Sequence, residues 1–286
     1  MIACVVLTYN EEANLAACLE SVRGVVHELW VVDSGSRDAT LAIAKQYGAQ
    51  IFEHPFETHA QQWRWALEHL PITQEWILGL DADQRITAEL REELAALFSS
   101  PERVKDVDGF FIKRRQVWRG RWIKHGTYYP KYLLKLFRKT RVQMDAHDLM
   151  DHHFYVNGAT QNLQHDLVEE NFKENDLQFW IEKHNRYAKL LAQEEFLKRQ
   201  RAHETLIRAN FFGNPDERTL WLKQRWYAMP LYVRPFLYFC YRYIFRLGFL
   251  DGKQGFLFHF LQAFWFRVLV DAHLDDLAGQ KEKVKS

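Results

Sequence analysis

The sequence predicts an α/β fold over its first hundred residues and a helical extension behind it. Three observations lead there. Short apolar runs alternate with helix-period segments, polar clusters close those runs, and after about Asp166 the pattern is helical to the end. Strands separated by helices of this length imply βαβ units and a largely parallel sheet. Ligands of such sheets collect beyond the carboxyl ends of the strands, where the clusters Thr8–Glu12, Asp33–Asp38 and Asp81–Asp83 fall.

Taken in order, "IACVVLTYN" is a β-rich run bounded by polar residues. Leu15, Cys18, Leu19 and Val22 then share one helix face, with Gly24 as the stop. "ELWVVDSGS" repeats the strand-then-turn theme, and Asp38 is placed to N-cap a helix over "ATLAIAKQYG" that ends at Gly48. A strand "AQIFEH", a helix around "AQQWRWALEHL" and a strand "EWILGLDAD" follow, then an amphipathic face of Leu90, Leu94, Leu97 and Phe98. From Asp108 the pattern changes. "GFFIKRRQVWRGRWIKHG" reads as a hairpin turning near Arg119–Gly120, and "YLLKLFRK" and "HHFYVNG" as further strands.

Composition narrows the function classes. A hydrophobic share of 48% and a charged share of 26% describe a folded protein, and a formal charge of +1 gives no global pull toward nucleic acid. Cys4, Cys18 and Cys240 form no C-x-x-C pair and read as buried free thiols of a reducing compartment. No secretion signal is visible, and no apolar run reaches the ~18 residues of a spanning helix. The expectation is a cytoplasmic protein, soluble or lying on a membrane without crossing it. P-loop, hydrolase-elbow and zincin motifs are missing from the sequence.

Asp81 and Asp83 close an apolar strand with two carboxylates one residue apart. Unpaired acids at the edge of a core are costly. In an extended strand end they point the same way, ~6–7 Å apart, and suit a hard divalent cation, Mg or Mn, that also takes phosphate oxygens. A helix cap is the plain alternative for the same two residues.

"VVLTYNEEANLAACLESV", "LWVVDSGSRDATLAIAKQYGA" and "WILGLDADQRI", in this order and spacing, resemble the N-terminal half of family 2 glycosyltransferases. The tail "YRYIFRLGFLDGKQGFLFHFLQAFWFR" is similar to that of the subgroup containing a lipopolysaccharide core β-1,4-glucosyltransferase. The resemblance implies a GT-A fold, a Rossmann-like mixed sheet, with inverting transfer of a hexose from a UDP-sugar and a divalent metal. It implies a catalytic domain over residues 1–165, nucleotide-sugar half 1–107 and acceptor half 108–165, with a helical extension over 166–286. Thr8, Tyr9, Asn10 and Glu11 match the loop lining the nucleotide pocket, and Asp33 the acid that contacts base or ribose. Asp81 and Asp83 match the D-x-D, with Asp83 the metal ligand. Departures are Ser34 in place of a second acid, Gln84 where an acid often follows the D-x-D, and Trp65 where relatives commonly carry Asn.

Inverting transfer needs a base for the acceptor hydroxyl. In "MDAHDLMDHH", His147-Asp148 looks like the subgroup's His-Glu pair, which makes Asp148 the expected base and Asp151 the second choice. His165 in "NLQHDL" resembles a histidine that closes the site and reaches the metal or a phosphate. Basic and aromatic residues between Lys113 and Arg141 suit sugars or phosphorylated lipids; near-neutral charge argues against nucleic acid. From Trp221 onward aromatic residues alternate with Arg and Lys, as in an interfacial amphipathic helix; a helix packed against protein fits equally. The expected acceptor is a glycolipid or saccharide at the cytoplasmic face of the inner membrane. Transfer to a polyprenyl phosphate, or a catalytically degenerate membrane scaffold, stands as the alternative.

Overall fold

The computed structural model describes residues 1–144, 153–200 and 208–285, which divide into two compact units. Among the described residues the first unit holds 1–117, 130–144 and 153–172, and the second holds 118–129 and the helical remainder from Lys173.

In chain order the first unit begins β1 (Ile2–Thr8), α1 (Leu15–Ser21), β2 (Glu28–Asp33), α2 (Thr40–Gln46), β3 (Gln50–Glu53) and α3 (His59–His69). It continues β4 (Trp76–Asp81), β5 (Gln84–Ile86), α4 (Ala88–Phe98) and β6 (Gly109–Trp118). After β7 (Arg121–Ile123), which lies in the second unit, come β8 (Lys131–Arg138), β9 (Val142–Met144), β10 (Phe154–Val156) and β11 (Thr160–Glu169).

The main sheet runs β3-β2-β1-β4-β8-β6-β11-β5. Its first four strands are parallel, as the alternating pattern predicts. Beyond them β8 runs antiparallel to both β4 and β6, and β11 pairs parallel to β6 and antiparallel to β5. The sheet is therefore mixed. β1 reads as a nearly unbroken apolar run because both its faces are covered. Ile2, Cys4 and Val6 join Leu15, Leu19 and Leu90 on one side, while Ala3 and Val5 join Trp63 and Ala66 on the other.

Two helix starts of this unit carry side-chain caps. Thr58 and Thr87 cap α3 and α4, each accepting a backbone N–H at 3.2 Å. Asp38 is one residue early: Ala39 takes the cap position of α2, yet Asp38 Oδ1 still accepts the Thr40 N–H at 3.0 Å.

The unit boundary differs from the expected one at 165/166. β11 stays in the sheet as far as Glu169, opposite Gln84 of β5. Trp118, Ile123 and Tyr128 leave the expected acceptor half to pack with Trp180, Phe258 and Leu261. The second unit comprises α5 (Leu177–Gln200), α6 (Pro215–Tyr227), α7 (Val233–Cys240), α8 (Gly252–His259) and α9 (Phe266–Lys285). Ala188 and Ala192 of α5 are small enough for Phe266, Val270 and Leu274 of α9 to close on them. Among the described residues no helix is long and apolar enough to cross a membrane.

Candidate active site

The carboxyl ends of β1, β2 and β4 lie side by side, with Thr8 beside Asp33 and Leu7 beside Asp81. The loops leaving β1 and β2 are tied to each other. Asn10 donates its N–H to Ser36 Oγ at 2.8 Å and accepts the Arg37 N–H at 2.9 Å. Glu11 N–H reaches Thr40 Oγ1 at 2.7 Å, and Ala39 N–H reaches the Glu12 carboxylate at 3.0 Å. Asn10 holds a left-handed backbone, φ 52°. Burial alone would push the Asp38 carboxyl up, but hydrogen bonds from Thr40 and the Glu12 N–H hold it below the ordinary range. Tyr9 projects from this tied rim with 58% of its surface exposed.

Asp33 is bound within its own loop and to the end of β1. It is fully buried, and its two oxygens accept four hydrogen bonds, from Thr8 Oγ1 at 2.7 Å, Ser36 Oγ at 2.5 Å, and the N–H groups of Gly35 and Ser36 at 2.9 and 2.7 Å. A carboxylate has about four lone-pair sites, and these four bonds occupy them. Asp33 thus anchors the loop after β2 to the end of β1.

The chain turns at Ala82–Asp83 directly after Asp81, so the extended spacing expected of the D-x-D does not hold. Asp81 and Asp83 stay half-buried while Ala82 is buried. Lys135 of β8 brings its Nζ within 3.0 Å of Asp81 Oδ2. Gln84, which stands where an acid often follows, accepts the Asp81 N–H at 3.2 Å and donates to Glu169 Oε2 at 2.8 Å. Glu169 thus carries a carboxylate to the edge of the D-x-D from β11, and Arg114 holds it at 3.0 Å. The sequence gives no local sign of Lys135 or Glu169, since sheet pairing alone brings them here.

These donors fit a hard divalent cation, because Asp81 and Asp83 present oxygens. Cys18 lies close by, its Sγ 3.7 Å from the Asp81 carbonyl, and burial pushes its thiol well above the ordinary range. Among the described residues no three His, Cys, Asp or Glu group to hold a metal, so a cation here would share Asp81 and Asp83 with oxygens of a ligand.

His165 is not brought to Asp83. The Asp83 carbonyl accepts the N–H of Glu170, the residue just past β11 and five positions beyond His165, at 3.0 Å. Strand rise makes that separation ~16 Å. His165 is exposed, and its N–H bonds Glu93 of α4 at 2.9 Å. Asp148 and Asp151 lie outside the described residues.

Residues 3–159, more than half of the chain, match the family model described as Glycosyl transferase family 2. The chain belongs to glycosyl transferase family 2. Among relatives of this family 2 chain, the lipopolysaccharide core biosynthesis glycosyltransferase LpsC of Rhizobium meliloti is 27% identical over 265 residues, 90% of this chain and 88% of that one. An uncharacterized glycosyltransferase of Rickettsia felis is 39% identical over 99 residues. That match spans 35% of this chain and only 34% of the relative's length. Of solved structures, S. aureus TarS 1-349 aligns with a TM-score of 0.44 at 16% identity, covering 99% of this chain and 91% of that one. Glucosyl-3-phosphoglycerate synthase from Mycobacterium tuberculosis, in complex with Mn2+, UDP and glucosyl-3-phosphoglycerate, aligns at 0.41 and 16% identity over 68% of this chain and 79% of that one.

Proposed function

We propose that this family 2 chain is an inverting transferase that moves a hexose from a UDP-sugar to a glycolipid or lipopolysaccharide-core type acceptor at the cytoplasmic face of the inner membrane. One observation carries the reading: the ends of three adjacent parallel strands deliver an exposed aromatic ring, Tyr9, and the acids Asp81 and Asp83 to one edge of the sheet. That combination suits a nucleoside diphosphate, with the ring against the base and the acids on the pyrophosphate side. The name of the Rhizobium meliloti relative, which the chain matches over most of its length, supports the acceptor class.

In this reading Thr8, Asn10 and Glu11 shape the nucleotide rim through their bonds to the neighbouring loop. Asp83, with Asp81 beside it, would hold a magnesium or manganese ion. When bound, such an ion neutralises the charge that develops on the departing diphosphate. Lys135 and Asp81 offset each other at the floor of the site. Asp148, with Asp151 as the second choice, takes the proton from the acceptor hydroxyl as its oxygen attacks the anomeric carbon in line. Nucleoside diphosphate leaves from the opposite face.

A panel of nucleotide sugars, assayed for nucleotide release and transfer with and without metal, tests this. The expected result is metal-dependent turnover of a UDP-sugar, with Asp148→Asn slowing transfer to a hydroxyl acceptor by ~10²–10⁴-fold. No turnover or binding of any nucleotide sugar, with either metal, would refute it.

A further inference from the structure

A helix that faces water turns its charges outward and its apolar side chains inward. α7 and the π-helical turn Tyr241–Phe245 that continues it do the reverse. Arg234 is fully buried, with NH1 2.7 Å from Glu195 Oε1 and Nε 2.8 Å from Asp271 Oδ1. Arg242 is 6% exposed; its Nε donates to the Gly126 carbonyl and NH1 to the Tyr238 hydroxyl, both at 2.6 Å. Its guanidinium lies 3.7 Å from the centre of the Tyr128 ring. Facing outward are Val233, Phe236, Leu237, Tyr241 and Ile244, three or four residues apart on one side of the helix, with Phe245 75% exposed beside them.

The apolar face continues into the next elements. The Tyr243 ring is 6.3 Å from Phe249 and 5.6 Å from Phe256, and Phe256 is 6.1 Å from Phe260. Phe249, Phe256 and Phe260 are themselves exposed. Monomers in water rarely leave a connected apolar surface of this kind open.

This face is built rather than left over. Leu247 is exposed yet holds φ 61°, a left-handed conformation that is strained for a residue with a Cβ. The turn is fixed on either side, by Gly126 N–H on the Arg246 carbonyl at 2.9 Å and Leu250 N–H on the Leu247 carbonyl at 3.0 Å. Beneath it the buried Asp251 accepts the His125 N–H at 2.9 Å and meets its Nδ1 at 2.7 Å.

Charge selects the occupant. From Thr219 to Val270 the chain carries seven Lys or Arg and one acid, the buried Asp251; Arg234 and Arg242 of the seven are buried, and the nearest exposed acid is Asp275, bonded to the Tyr232 hydroxyl at 3.1 Å at the start of α7. Arg225, Arg246 and Lys253 are exposed. Two copies meeting through this face would bring like charges together, whereas an anionic bilayer accepts both the rings and the cations. We propose that this face of the second unit seats the protein on an anionic lipid bilayer, its outward rings at headgroup depth and Arg246 and Lys253 against lipid phosphate. The contact goes beyond the transfer reaction and holds whatever chemistry the first unit performs.

Co-flotation of the full chain with vesicles tests it, in the absence of any sugar donor. Vesicles of phosphatidylcholine and phosphatidylglycerol are compared with phosphatidylcholine alone. The full chain should float with the anionic vesicles and release as salt rises past the range where charges are screened. Phe236→Ser/Ile244→Ser/Phe245→Ser should lower binding at least ~10-fold, with an unchanged circular dichroism spectrum. Arg246→Glu/Lys253→Glu, two exposed sites, should do the same if the triple variant folds poorly. No binding at low salt overturns the proposal, as does charge reversal without effect. A wild-type dimer that the same substitutions split into monomers in sedimentation also overturns it, since a second copy would then cover the face. Turnover of a soluble sugar donor in the same variants, unchanged, separates this result from a failure of the transferase reading.

Discussion

Lys135 Nζ stands 3.0 Å from Oδ2 of Asp81, joining β8 to the end of the neighbouring strand β4. The ammonium is buried, and the carboxylate is half-exposed. The first acid of the D-x-D therefore neutralises a buried cation of the protein itself, and the proposed reading leaves Asp83 as the main ligand of a divalent ion. Asp81→Asn should cost ~1–3 kcal/mol of stability, because it strands the buried Lys135 charge. Asp83→Asn should lower transfer by on the order of 10²-fold with a smaller loss of stability. Chemical unfolding of both variants beside their turnover checks the contrast.

Asp33 carries four hydrogen bonds in a fully buried position. Asp33→Ala leaves two hydroxyls and two N–H groups with a lost acceptor, so a loss of ~2–4 kcal/mol is expected in urea unfolding. Stability left intact while KM for the donor rises would instead make Asp33 a direct ligand contact.

Burial dominates in holding both His184 and His259 down to about 4, from an ordinary 6.5. Nearby Lys183 and Arg267 add to this at His184, and Arg242 at His259. Between those values the unfolded chain takes protons that the folded one refuses. Their contribution to stability is full above pH 6.5 and falls as pH drops toward 4, by up to ~1.4 kcal/mol per pH unit for each histidine. Urea midpoints from neutral pH downward should fall accordingly, and His259→Leu should shallow the slope.

Gly126 sits at φ 67°, and a Cβ there would lie 2.1 Å from His259 Cε1. Gly126→Ala should destabilise the helical unit by more than ~2 kcal/mol. Adding His259→Ala should recover part of the loss, since it clears the clash and leaves only the backbone strain. Thermal unfolding of the single and double variants reads both effects.

The strands and helices of the first hundred residues were legible because their signals are local. β1 and β4 are continuous apolar runs, and α1 repeats its apolar face within eight residues. The ends of β1, β2 and β4 were legible for the same reason. Contacts made through pairing were not: Lys135 meets Asp81 from 54 residues away, and Gln84 meets Glu169 from 85. Trp118–Tyr129 reads as part of a hairpin, yet its rings find their partners on helices more than fifty residues downstream. The basic and aromatic alternation of the tail was visible. Its direction was not, because only the fold shows Glu195 and Asp271 drawing Arg234 inside and leaving Phe236 out.

In the proposed transferase a nucleoside diphosphate is held at the β4 end with a divalent cation. Calorimetric titration of UDP into the full chain, with and without manganese, into wild type and Asp83→Asn, measures that directly. Binding that requires manganese and disappears in Asp83→Asn is the expected result. UDP binding that is as tight without metal and unchanged in the variant would contradict it.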